Sequence, residues 1–289
     1  MESPDLRIFQ MVAREGSVTK AAQRLGYVQS NITARIQQLE SELQTVLFFR
    51  HNRGMTLTSS GKSLLAYADK IIGLLDEAVL ALSSTGEPSG PLLIGSTQTA
   101  AAVRLPKLLA SYYSRHSNVQ LSLTTGHTQF LMDKVLHYEL DGAFIGCTCN
   151  HPELQAVTVF EEELVVAAGP AVASLTEALT KPILVFNPGC SYRDVLEQWL
   201  QSVGIPQPVM MEFGMLEAIV GGVSAGLGIS LMPRAVTQKH EEEGLIRTFD
   251  IPEPYRYIKT EFITRKDAFV SSSLNAFMGM LAPGLSSPS

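Results

Sequence analysis

The chain has 289 residues, 45% of them hydrophobic and 17% charged, with a formal net charge of −6. That is apolar material for two or three compact cores, so a globular protein is expected. Glu2, Asp5, Arg7 and Arg14 interrupt the opening, and the uncharged run between Glu217 and Arg234 is broken by glycines, so neither a secretory signal nor a membrane span is expected.

Leu6, Phe9, Met11, Val12 and Ala13 predict a first amphipathic helix. Ser17 is placed to cap a second helix through Ala21, Ala22 and Leu25, and Gly26 to end it in the left-handed conformation. A third helix begins near Gln29. Its residues Ile32, Ile36, Leu39 and Leu43 recur at helical spacing and predict one buried stripe. The opposite face carries Ser30, Ala34, Gln37 and Ser41, flanked by Asn31, Thr33 and Gln38, and meets no acid before Glu40. A short polar face of this kind suits base edges and phosphates in a DNA groove. LFFRHNRGMTLTSSG follows as two strand-like pieces about Asn52, Arg53 and Gly54, a wing. Charge agrees: residues 1–66 hold eight Lys and Arg against five Asp and Glu, whereas residues 67–289 hold fourteen against twenty-three. The basic end attracts phosphate and the acidic remainder repels it.

From Leu64 the series Leu64, Ala68, Ile71, Leu75, Ala78, Leu82 alternates four and three, widened by Leu65, Ile72 and Val79. This rhythm predicts a helix that pairs with another helix, most simply in a second copy of the chain. The alternative is docking on its own C-terminal domain. Residues 83–91, SSTGEPSGP, read as a hinge. Beyond it, strands are expected at 91–95, 119–125, 141–146, 163–169, 182–187 and 228–233, with helical stretches between most of them, so an α/β domain with largely parallel sheets is expected.

The N-terminal part resembles the LysR-type transcriptional regulators. The resemblance rests on the SxTxAAxxL run from Ser17 to Leu25, then Gln29, Ser30, Ile32, Thr33, Ile36, Leu39 and Glu40, and on Leu47, Phe48, Arg50, Arg53, Leu57, Thr58 and Gly61, in order and spacing. Ala34 departs from it, because the family usually has a larger polar or basic residue there; Arg35 or Gln37 is the expected substitute. The resemblance implies an N-terminal winged helix-turn-helix (1–60), a linker helix and hinge (61–90), and an α/β periplasmic-binding-protein-like effector domain of two subdomains (91–289). Subdomain I would comprise about 91–162 and 266–289, and subdomain II about 163–265. Crossover strands would lie near 160–168 and 255–265, and a last helix near 272–281 would return to subdomain I. Partners so implied are double-stranded promoter DNA, a small-molecule effector, a second copy in a homodimer or homotetramer, and RNA polymerase. The setting is the bacterial cytoplasm, and no cofactor or metal is called for.

Gln29 and Asn31 are expected to read base edges, within a groove-facing segment Gln29–Gln38 that includes Ser30, Thr33, Ala34, Arg35, Gln37 and Gln38. Thr19, Lys20, Arg24, Arg50, Arg53 and Thr58 are expected mainly to hold phosphates. In the effector domain, ligands of open parallel sheets bind beyond the strand ends. Those ends nominate Ser96, Thr97, Gln98 and Thr99; Gly126, His127 and Thr128; Gly146 and Cys147; and Asn187, Cys190, Ser191 and Arg193. Convergent hydroxyls at helix starts suit a small anion such as a di- or tricarboxylate, with Arg193 or, less centrally, Arg256 as the cationic partner.

Three cysteines cannot all pair within one chain. Cys147, Cys149 and Cys190 offer an alternative, a thiol-responsive regulator, with Cys190 activated at a helix start. GVSAG (222–226) matches the nucleophile elbow of α/β hydrolases, but a helix precedes Ser224 and a strand follows it, the reverse of what that motif needs. A transport-type solute-binding protein would share the second domain's fold and lack the first. The expectation is a regulator and not an enzyme.

Overall fold

The computed structural model describes residues 1–51, 54–83, 87–205 and 208–281. It divides into two compact units, Met1–Ser84 and Thr85–Ser289.

The first unit contains α1 (Ser3–Glu15), α2 (Val18–Leu25), α3 (Gln29–Glu42), β1 (Phe48–His51), β2 (Gly54–Leu57) and α4 (Ser59–Ser83). Ser17 caps α2 by accepting from the Lys20 N–H, and Gly26 closes it at φ 69°, a conformation cheap only for glycine. Leu6, Ile8, Phe9 and Val12 of α1 meet Ile32, Ile36 and Leu39 of α3 in one core, closed below by Leu47 and Phe48. The Phe9 and Phe48 rings lie 5.3 Å apart and tie α1 to the wing. Leu43 departs from the expected stripe: α3 stops at Glu42 and Leu43, its C-cap, is 37% exposed. Strands β1 and β2 pair antiparallel, Phe48 opposite Leu57.

Helix α4 differs from expectation on one side. Ala68 and Ile72 are buried in the same core, against α1, with Leu64 and Leu65 at its margin. The helix thus docks half of its stripe on its own N-terminal unit, an outcome its heptad rhythm could not distinguish from pairing. Tyr67, Ile71, Leu74, Leu75 and Val79 remain exposed. The side chain of Leu82 lies outside the described residues.

The second unit runs β3 (Gly90–Ser96), α5 (Gln98–Val103), α6 (Leu105–Arg115), β4 (Val119–Thr125), α7 (Thr128–Leu136), β5 (Gly142–Ile145), β6 (Leu154–Ala168), α8 (Leu175–Ala178), β7 (Ile183–Phe186), α9 (Ser191–Ser202), β8 (Met210–Phe213), α10 (Leu216–Ser224), β9 (Ser230–Pro233), α11 (Arg234–Glu242), β10 (Arg247–Asp250), β11 (Tyr257–Arg265) and α12 (Ser272–Leu281). A curled sheet has the order β10-β6-β11-β5-β3-β4, with β9 also on β6. Among the described residues, parallel pairing joins β3 with β4 and β5, and β7 with β8 and, through one bridge between Ile183 and Ile229, with the residue just before β9. The expectation of largely parallel sheets is corrected here, because β6 and β11 run antiparallel to each other and to their other neighbours. They are also the crossovers. β11 pairs β5 through Glu261–Ile263 and β6 along its length, while β6 reaches β9 and β10 through 164–168.

Two subdomains result. In the first, Leu92, Ile94, Phe144 and Phe262 of the sheet pack on Leu105 and Tyr112 of α6 and on Leu274 and Phe277 of the returning α12; α7 covers the other face with Leu131 and Val135. In the second, α9 contributes Leu196, Trp199 and Leu200 to one face, and α10 and α11 contribute Ile219, Val223 and Val236 to the other. Gly226, at φ 78°, makes the turn after α10; a Cβ on Gly228 would stand 2.2 Å from the Pro182 carbonyl. Of the GVSAG glycines, Gly226 serves the helix-to-strand turn and Gly222 lies within α10 against the Leu184 side chain, with Ser224 at the end of that helix. No described helix is long and apolar enough to cross a membrane.

Candidate nucleic-acid interface and effector cleft

On the first unit, Gln29, Ser30, Asn31, Ala34, Gln37 and Gln38 are all exposed along α3. Thr19 Oγ1 donates to Gln29 Oε1 at 3.2 Å, which sets α2 against the start of α3. Thr33 is only partly exposed, and its hydroxyl donates to the Gln29 carbonyl at 3.0 Å. Two expected contacts, those of Arg35 and Thr58, are redirected. Arg35 pairs with the buried Asp5 at 2.9 Å, which draws its guanidinium toward α1 while its side chain stays 41% exposed. Thr58 is 9% exposed; its hydroxyl donates to the Val46 carbonyl and accepts the Gly61 N–H, capping the start of α4 instead of facing phosphate. Arg50 pairs with Glu40, whose other oxygen accepts the Leu47 and Phe48 N–H groups and so holds the wing. Arg24 pairs with Glu15 but stays 69% exposed, and Lys20 is exposed. Arg53 lies outside the described residues. Tyr27 and Val28, 48% and 68% exposed at the entrance of α3, were not singled out from sequence. Their signal was two apolar residues outside any helical stripe.

In the second unit, a cavity of about 160 Å³ opens between the subdomains. Thr97, Gln98 and Thr99 reach it from the end of β3, His127 and Thr128 from the end of β4, Gly146 from β5, and Asn187, Cys190 and Ser191 from the opposite subdomain. Tyr192 and the Phe186 and Phe213 rings complete it; the two phenylalanines were not nominated, since each reads as an ordinary apolar strand residue. Thr97 Oγ1 is buried and has no hydrogen-bond partner. His127 Nδ1 accepts the Phe130 N–H at 3.2 Å, which in the neutral ring leaves the proton on Nε2. Side-chain bridges that cross the cleft include Thr99 with Tyr192 at 2.8 Å, Thr128 with Ser191 at 3.0 Å, and Gln98 with the backbone of Gly214 and Leu216. Burial holds the Tyr192 phenol well above its ordinary pKa, so it stays neutral.

Four nominated side chains lie elsewhere. Ser96 is fully buried and donates to the Thr97 carbonyl. Arg193 pairs with Glu197 at 2.8 Å and Glu212 at 2.7 Å and also donates to the Phe186 carbonyl, so it fastens α9 to β7 and β8 and leaves the cleft. Arg256 is taken by Glu163 at 2.5 Å, in a cluster with Arg234 and Asp250. Cys147 lines a neighbouring groove of about 540 Å³ with Asp194 and Lys259. The thiols also depart from expectation. Burial raises the pKa of Cys147 and of Cys190, and for Cys190 it outweighs the Tyr192 and Arg193 N–H groups at the helix start. Both shifts run opposite to the lowering that activates a thiol.

A winged helix-turn-helix joined to a two-subdomain domain with a ligand-sized cleft defines a one-component DNA-binding regulator. Residues 4–62 match the family model "Bacterial regulatory helix-turn-helix protein, lysR family", and residues 85–286 match the "LysR substrate binding domain". The chain belongs to the LysR family of transcriptional regulators. It is 71% identical over 283 residues to the uncharacterized HTH-type transcriptional regulator YusT of Bacillus subtilis strain 168, covering 98% of this chain and 96% of that one. Full-length OxyR from Pseudomonas aeruginosa has a similar fold, with TM-score 0.73 and 22% identity over 97% of this chain and 93% of its own. So has full-length CbnR solved with its target DNA, with TM-score 0.68 and 23% identity over 97% of this chain and 99% of its own. Like other members, this protein pairs a DNA-binding domain with an effector-binding domain.

Proposed function

We propose that this regulator senses a small monocarboxylate with an apolar body, bound between Thr97 and Asn187, and converts it into changed promoter occupancy or DNA bending. The observation that carries this reading is the Thr97 hydroxyl, buried on the cleft wall without a partner. An unsatisfied buried hydroxyl costs about 1–3 kcal/mol, and a ligand oxygen would recover it. His127 Nε2–H adds a second donor. Phe186 and Phe213 favour an apolar body, and no Lys or Arg lines the cavity among the described residues, which disfavours the multiple charges of a di- or tricarboxylate.

Domains at 1–60, 61–90 and 91–289 suit this division of labour. Gln29, Ser30, Asn31, Ala34, Gln37 and Gln38 would face the major groove, with Thr19, Lys20, Arg24 and Arg50 near phosphates. Ile71 and Leu75 would seam a dimer. A ligand shifts such a system only through unequal affinity for its two cleft states. The output would be altered access of RNA polymerase in the cytoplasm, with no catalytic step; Ser224→Ala changes nothing in regulation.

The test is calorimetric titration of the full chain with aliphatic and aromatic monocarboxylates, their amides and matched dicarboxylates. Expected are heats for a monocarboxylate and about tenfold weaker binding by Thr97→Val, the worth of one hydrogen bond. An amide that binds as tightly as its acid, or Thr97→Val with unchanged affinity, overturns the reading.

A further inference from the structure

Gln98 is the first residue of α5 in subdomain I, yet its side chain ends in subdomain II. Nε2 donates to the Gly214 carbonyl at 2.9 Å, and Oε1 accepts the Leu216 N–H at 2.9 Å. Leu216 is the first residue of α10, whose N-cap is Met215, a residue with no side-chain acceptor to offer and no capping bond. A helix start leaves its first N–H groups unsatisfied unless something caps them. Gln98 supplies that cap from the other subdomain, more than a hundred residues away in sequence. Helix α10 is firmly seated below it, with Leu216, Ile219 and Val223 in the core of subdomain II.

We propose that Gln98 is a positioning residue, a clasp that completes the N-terminus of α10 when the two subdomains close, rather than a contact for the effector. The other bridges, Thr99 with Tyr192 and Thr128 with Ser191, join one hydroxyl to another. Gln98 differs from them in using a donor and an acceptor at once on two backbone groups, which a neutral carboxamide provides at any ordinary pH. A leucine of similar size provides neither. An ionised glutamate sets an oxygen against the Gly214 carbonyl, and that repulsion turns the carboxylate away from the Leu216 N–H as well; once protonated, it regains the donor and both bonds.

The experiment is residue-resolved hydrogen exchange at the Leu216 amide in the full chain, corrected for intrinsic exchange, for the natural protein, Gln98→Leu and Gln98→Glu between about pH 3.5 and pH 7, a range that spans the ordinary glutamate value of about 4.3. The α7 amides in each variant serve as a folding control. Expected is protection at Leu216 in the natural protein and at least tenfold faster exchange in Gln98→Leu with α7 unchanged. In Gln98→Glu, Leu216 should be slow at the acid end and fast at the neutral end. Equal Leu216 exchange in the natural protein and Gln98→Leu overturns the clasp, as does Gln98→Glu without dependence on pH. If Gln98→Leu fails to fold, the pH profile of Gln98→Glu decides alone. No effector is used, so this result stands apart from the fate of the carboxylate reading, on which the site's use as a sensor rests.

Discussion

Arg35 of α3 and Asp5 of α1 form an ion pair of 2.9 Å in which the aspartate side chain is only 7% exposed. The pair anchors the recognition helix to the helix behind it. Asp5 also accepts the Glu2 N–H at 3.0 Å, so one carboxylate organises the start of α1 and the tilt of α3. Arg35→Ala leaves a buried acid without its cation and should destabilise the first unit by about 1–3 kcal/mol. Thermal unfolding checks this. A salt titration of DNA binding should show a smaller change of slope for Arg35→Ala than for Lys20→Ala; an unshifted melting temperature with a flattened salt slope would return Arg35 to the phosphates.

Arg193 is committed to Glu197, Glu212 and the Phe186 carbonyl. Arg193→Ala should lower the melting temperature of the effector domain while changing the affinity for any cleft ligand by less than about threefold, well under one charge-assisted hydrogen bond. Titration of the variant with the ligand found for the natural protein decides it: abolished binding would put the guanidinium back in the cleft.

The two sides of α4 should respond differently to the same change. Ile71 and Leu75 are 38% and 41% exposed, whereas Ala68 is fully buried against α1. Ile71→Glu and Leu75→Glu are expected to yield folded monomers in sedimentation equilibrium, since charge at a helix seam opposes pairing. Ala68→Glu should unfold the N-terminal unit, because the core there has no partner for the charge. Dimers that survive both exposed substitutions would remove the seam from this helix.

Hydrogen bonds from Arg234 and then Arg256 hold the Glu163 carboxyl below its ordinary pKa. A carboxylate lowered in the folded state adds stability above the unfolded value of about 4.3, and that stability is lost as pH falls through the lowered folded value. Melting temperature should therefore fall between about pH 5 and pH 3 more steeply in the natural protein than in Glu163→Gln, which starts lower at pH 7. Parallel curves would show the cluster contributes nothing at that carboxyl.

The thiols give a last check. With Cys147 and Cys190 raised by burial, iodoacetamide should label them more slowly than free cysteine at pH 7 and gain rate only as pH climbs past the free thiol value of about 8.5. Rapid labelling of either at pH 7 would restore the thiol-responsive alternative.

What the sequence determined by itself was local. The stripe Ile32, Ile36, Leu39, the cap at Ser17, the stop at Gly26 and the strands expected at 119–125 and 182–187, the latter found at Ile183–Phe186, follow from neighbours a few residues apart, so period and capping chemistry sufficed to read them. The cleft-lining loops were legible for the same reason, since strand ends followed by helix starts place Thr97, His127 and Ser191 together. Tertiary structure decided which charge meets which. Arg35 found Asp5 thirty residues back, Arg256 found Glu163, and Gln98 reached Leu216. It also decided that Ala68 belongs to α1 and that β6 extends from Leu154 through both subdomains antiparallel to β11. A guanidinium or an amide has no period and satisfies whichever group the fold brings within about 3 Å. Its role is therefore set by contacts distant in sequence, which no local pattern encodes.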